Sequence, residues 1–180
     1  MSGKVIVILV LGILIFDFLL DLLLSFLNEK SSKNPIPNEL KGIYDDEKYQ
    51  KSQDYQNTTG RFAKISSTLS FIVMVVSIWF GWFGFLDDWV RDFSPLAPAT
   101  PLIYFAILFF FSDLINTPFS LYQNFVIEAR FGFNKMTLKT YFSDKLKGYF
   151  LTAFLGGGLL LVFVWMIEVT GTDFWWYFWM

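Results

Sequence analysis

Neither histidine nor cysteine occurs in the 180 residues. Their absence removes the commonest neutral-pH acid/base and the two strongest zinc-ligand types together. No disulfide framework or thiolate metal site can be built. Charge is scarce as well: 17% of residues are charged and the formal net charge is −2, so no basic excess exists to neutralise phosphates. Nucleic acid is therefore excluded as a natural partner. What is abundant is apolar surface. Hydrophobic residues make up 54% of the chain, aromatic residues 21%, and the mean hydropathy is +0.48. This is the composition of an integral membrane protein.

Four apolar runs are long enough to cross about 30 Å of hydrocarbon as helices: residues 5–27, 65–86, 101–127 and 149–169. The first run exceeds the roughly 7–15 apolar residues of a signal-peptide core, and no small-x-small site follows, so it reads as a retained anchor. A fifth run, "FWWYFWM", covers 174–180 and reads as the start of a fifth span. The expected fold class is all-α integral membrane, with amphipathic cytoplasmic helices in the first and third loops. In the first loop, the linker "NEKSSKNPIPNE" precedes Leu40, Ile43, Tyr44, Tyr55 and Phe62 on an amphipathic pattern that Gly42 and Gly60 interrupt. In the third, Leu138, Phe142, Leu146 and Phe150 repeat at i+4 among Lys139, Lys145 and Lys147.

Lysines and arginines number seven in residues 28–64 (Lys30, Lys33, Lys41, Lys48, Lys51, Arg61, Lys64), one in 87–100 (Arg91) and five in 128–148 (Arg130, Lys135, Lys139, Lys145, Lys147). The positive-inside rule thus places the first and third loops in the cytoplasm and the N terminus outside. The tryptophans give a second signal: all seven fall near the ends assigned outside, as in an interfacial belt.

Asp17 and Asp21 are spaced i, i+4 and share a helix face in the first span. Carboxylates at membrane depth are expensive, so these acids either line a water-filled cavity, with Asp113 as a third member, or lie at the cytoplasmic end and reach headgroup water. Gly156–Gly158 lie in the fourth span, where small residues permit close helix packing; without a following Lys-Ser/Thr they form no phosphate loop. Asp87, Asp88, Arg91 and Asp92 read as a solvated outside turn. The compact charged stretch "FVIEARFGFNKMT" (Phe125–Thr137) offers Glu128, Arg130, Asn134, Lys135 and Thr137 as candidates for a site or for loop support. Gly132 permits a tight turn there, and Asn134 brings a donor and an acceptor in one short side chain. By spacing alone, the stretch is equally a helix-terminating turn.

At these residues a family resemblance enters. "SLYQNFVIEARFGFNKMTLKTYFSDKLKG" (Ser120–Gly148) resembles the loop of the integral-membrane CAAX prenyl zinc proteases, as does "PNELKGIYDDEKYQKSQDY" (Pro37–Tyr55), and the order of spans around them is similar. The resemblance implies the N-terminal membrane domain, over residues 1–180, of a seven-helix enzyme with a hydrated chamber. It implies that loop 128–137 helps shape the substrate entrance. It also implies zinc held by an HExxH motif and a distant glutamate, and cleavage of prenylated or membrane peptides. This chain has no HExxH, so no catalytic or metal residue can be assigned in it; the missing C-terminal catalytic portion is an expected partner beside the lipid bilayer. The membrane would be the bacterial inner membrane or the endoplasmic reticulum. The alternative is a stand-alone, non-enzymatic scaffold that binds lipid or a partner helix.

Overall fold

The structure, a computed structural model, describes residues 2–31, 45–93, 99–171 and 174–179. Most of the expected linker, with Leu40, Gly42, Ile43 and Tyr44, lies outside the described residues. Within them all regular structure is helical: α1 (Gly3–Ser31), α2 (Asp46–Trp79), α3 (Trp82–Phe93), α4 (Ala99–Tyr122), α5 (Ala129–Phe131), α6 (Leu138–Leu151), α7 (Gly157–Thr170) and α8 (Phe174–Trp179). A π-helical turn, Gln123–Glu128, joins α4 to α5, and another, Thr152–Gly156, joins α6 to α7. The result is four helices long and apolar enough to cross a membrane: Gly3–Lys30, Glu47–Trp79, Ala99–Phe131 and Leu138–Thr170.

Burial explains why these helices belong in lipid. Among the described residues only Leu11, Val90, Ile127 and Phe131 are buried apolar residues, while large side chains such as Ile8, Phe16, Ile72, Phe111 and Phe154 are exposed along their spans. Apolar surface on this scale is stable only against hydrocarbon or further protein.

The helix that carries the second apolar run, expected over 65–86, starts at Asp46 and stops at Trp79. Asp45 caps the start, accepting the Glu47 N–H at 3.0 Å. Gly60 does not interrupt this helix; an interior glycine costs only about 1 kcal/mol relative to alanine, and the surrounding turns carry it. The stop is conformational, with Gly81 at φ +69, a left-handed geometry suited to glycine. Residues 82–86 therefore belong to the separate helix α3. The third-loop helix leads into the fourth span, α6 running through its π turn directly into α7.

The chain divides into two compact units, residues 1–83 with 117–134 and residues 84–116 with 135–180. In the first, α1 and α2 are antiparallel. Phe18 stacks on Phe71 with centroids 4.0 Å apart, and Glu29 meets Lys64 at the other end of the contact. The C-terminal part of the third span lies antiparallel to α2, with Phe62 against Phe119 and Tyr122. In the second unit, α4 and the fourth span are antiparallel, Phe109 meeting Tyr149 edge-on at 5.9 Å.

Candidate functional site

The stretch around Glu128 is built by a sequence of backbone devices. Pro118 inside α4 has no N–H to give to the preceding turn. Nearby, the amide groups of Asn116 and Asn124 donate to the carbonyls of Ser112 and Ser120 at 2.7 and 2.8 Å. The helix then widens into the π turn Gln123–Glu128, whose i→i+5 hydrogen bonding brings residues five apart onto neighbouring positions. Gln123 accordingly donates from Nε2 to Glu128 Oε1 at 3.1 Å. The same oxygen accepts the Tyr55 hydroxyl of α2 at 2.6 Å. Tyr55 is wedged edge-on between Phe131 at 5.2 Å and Phe133 at 4.9 Å, so the hydroxyl is aimed by aromatic packing.

The helix ends at Gly132, φ +82. Its N–H donates to Ala129 O at 3.1 Å and that of Phe133 to Glu128 O at 2.9 Å, the two bonds of a Schellman cap. The Asn134 N–H also reaches Glu128 O, at 3.2 Å. Glu128 is thus a hub, its side chain tying α2 and its carbonyl closing the helix. Arg130 is exposed and carries its guanidinium 5.8 Å from the Phe131 ring centroid. Lys135 and Thr137 fall in the second unit. Lys135 is exposed, and Thr137 caps α6 by accepting the Thr140 N–H at 3.2 Å.

A cleft of about 490 Å³ lies between α1 and α2, its polar walls including Asp21, Asn28 and Glu29 on one side and Asn57, Arg61 and Lys64 on the other. Asp21 lines it; Asp17, one turn earlier, is exposed and is not among its lining residues. Glu29 holds Lys64 at 2.7 Å and Arg61 at 3.8 Å. Asp113 belongs to the second unit and to a different cluster. Its carboxylate accepts from Lys145 at 2.8 Å and from the Tyr149 hydroxyl. Sequence reasoning named Asp113 but missed Tyr55, Gln123, Lys145 and Tyr149. Lys145 sits on a basic amphipathic pattern, which hid its partner; the excess of carboxylates over cations within the spans was the available signal.

Among the described residues, the glycine run of the fourth span meets no closely packed neighbouring helix. A Cβ on Gly157 would meet Leu102 at 4.0 Å, an ordinary contact, and one on Gly158 would meet nothing within 4 Å. The residues present do not fit a zinc ion: imidazole and thiolate are absent from the chain, and no three carboxylates gather among the described residues.

Comparison with known proteins completes the site's context. Residues 25–180 match the family model of the CAAX prenyl protease N-terminal region with its five membrane helices. The chain belongs to the CAAX prenyl protease family. Similar proteins include CAAX prenyl protease 1 of Saccharomyces cerevisiae, 30% identical over 83% of this chain and 35% of the relative. The CAAX prenyl protease 1 homolog of Arabidopsis thaliana is 28% identical over 90% of this chain and 40% of the relative. Among solved structures, S. mikatae Ste24p is similar with a TM-score of 0.88 and 27% identity, covering 98% of this chain and 42% of that one. The chain corresponds to the N-terminal membrane region of this family and spans well under half the length of these relatives. It is an integral membrane protein, and the bilayer is its first partner.

Proposed function

We propose that this chain forms part of the helical chamber and the substrate entrance of a CAAX prenyl zinc endopeptidase acting on prenylated or membrane-associated peptides. The observation that carries the reading is the similarity of nearly the whole chain to the membrane region of Ste24p. Zinc chemistry requires imidazoles and a carboxylate to activate water, and this chain supplies no imidazole. The proposal therefore assigns it a non-catalytic share of the work, completed by a zinc-holding catalytic portion. The loop charges support cytoplasmic first and third loops and an outside N terminus. On this reading Asp17, Asp21 and the α1–α2 cleft contribute polar lining, and Glu128, Arg130, Asn134, Lys135 and Thr137 support the entrance loop.

Purified in detergent, the chain alone is expected to hold no zinc after a chelator wash and to cleave no prenylated peptide, whereas joined to the catalytic portion of a relative it cleaves. Stoichiometric zinc on the chain alone, or cleavage by it, overturns the assignment. In the joined enzyme Asn134→Ala leaves a partner unsatisfied at about 1–3 kcal/mol, roughly a five- to 150-fold loss of cleavage if felt in the transition state, with zinc content unchanged. A wild-type rate per zinc-loaded molecule removes Asn134 from the entrance.

A further inference from the structure

Helix α3 was expected to be half span and half solvated turn, and it is neither. Its twelve residues, WFGFLDDWVRDF, divide the helix surface into three arcs. Trp82, Phe85, Trp89 and Phe93 follow one another at i, i+3, i+7 and i+11 and share one face. They are 60%, 65%, 52% and 72% exposed, Trp89 stacking on Phe93. Beside them runs a second apolar arc that turns into the protein, with Val90 fully buried and Phe83 and Leu86 half-buried. The remaining arc is polar: Asp87, Asp88, Arg91 and Asp92. The Arg91 Nε–H donates to Asp87 at 2.8 Å, and that bond raises the guanidinium above its already high range.

We propose that α3 is an interfacial helix lying in the membrane surface, with its aromatic arc inserted at the boundary of headgroups and acyl chains. Three observations select a lipid surface as the occupant. The first is tethering. Only Phe80 and Gly81 separate α3 from Trp79, the last residue of a span, so its first residue lies within about 11 Å of chain from the bilayer edge. Ala99 then opens the next span soon after Phe93. The second is side-chain chemistry: the exposed arc is made of tryptophan and phenylalanine, and tryptophan concentrates at membrane–water boundaries. The third is the position of charge. All four charged residues lie on the polar arc, and three of them are acidic, so insertion is driven by aromatic burial and not by attraction to anionic lipid.

Absence of native cysteine permits a direct test with single-Cys, spin-labelled variants Phe85→Cys, Trp89→Cys, Asp88→Cys and Asp92→Cys. The full chain is reconstituted in phosphatidylcholine vesicles, and collision with oxygen is compared with collision with a water-soluble nickel chelate. Labels at 85 and 89 are expected to show an oxygen-to-nickel ratio several-fold above those at 88 and 92. Equal ratios at all four positions overturn the proposal in favour of a solvated helix. Labels at 85 and 89 shielded from both reagents overturn it in favour of a covering protein surface. Phe93→Cys repeats the test at a third position on the aromatic arc should either of the first two substitutions fail to fold.

Discussion

Glu128 and Asp113 are carried by the same helical span, Ala99–Phe131, yet the protein holds them by different chemistry. Asp113, near the middle of the span, is met by a cation, Lys145, and by the Tyr149 hydroxyl. Glu128, in the last turns, is met by two neutral donors, the Tyr55 hydroxyl and the Gln123 amide. The difference lies in the partners. An ionised carboxylate within an apolar span is costly unless its charge is compensated, as Lys145 does for Asp113. At Glu128 directional bonds from neutral donors do the work instead. The first arrangement secures two helices by charge; the second uses geometry to place a loop.

The most severe way to break this comparison is to remove the cation. Lys145→Met leaves Asp113 without its counter-charge and is expected to lower stability by about 3 kcal/mol. The residual exposure of the two side chains, 16% for Lys145 and 26% for Asp113, moderates the loss. Thermal unfolding in detergent measures it, and the double variant Asp113→Asn, Lys145→Met recovers most of it because neither charge is then orphaned. A single variant as stable as the parent shows that water, not lysine, compensates Asp113.

A smaller effect is expected at the other carboxylate. Tyr55→Phe keeps the ring contacts with Phe131 and Phe133 while deleting the donor to Glu128, for a loss of about 1.5 kcal/mol, since Gln123 still bonds the same oxygen. If Tyr55→Phe proves as damaging as Lys145→Met in the same unfolding assay, the distinction between charge compensation and loop placement fails.

The smallest change sharpens the boundary between the two regions. Thr137→Ala removes the side-chain cap of α6, the helix that carries Lys145, and should cost about 1 kcal/mol, with Thr137→Ser restoring it. Amide exchange in residues 138–141 should quicken while exchange near Tyr55 does not. Uniform acceleration across both regions contradicts a local cap.

Local chain properties were enough to determine the all-helical membrane fold, the existence of four spans, and the stretch from Phe125 to Thr137 as a charged break between apolar runs. Hydropathy and length depend on consecutive residues, so no neighbouring helix is needed to read them. Family membership was equally legible, because the motifs at 37–55 and 120–148 are contiguous. Where α2 begins and ends was only partly legible: the helix continues through Gly60, and a left-handed glycine at 81 stops it. Pairing was decided by tertiary structure alone. The Tyr55–Glu128 bond joins residues 73 positions apart, and the Tyr149–Asp113 bond joins residues 36 apart. Such partners meet only because their helices are antiparallel at one register. The Gln123–Glu128 bond depends on a π turn that an α-helical period does not anticipate. A carboxylate's need for a partner is a matter of residue type and depth, but which side chain satisfies it is set by the faces that packed helices turn toward each other.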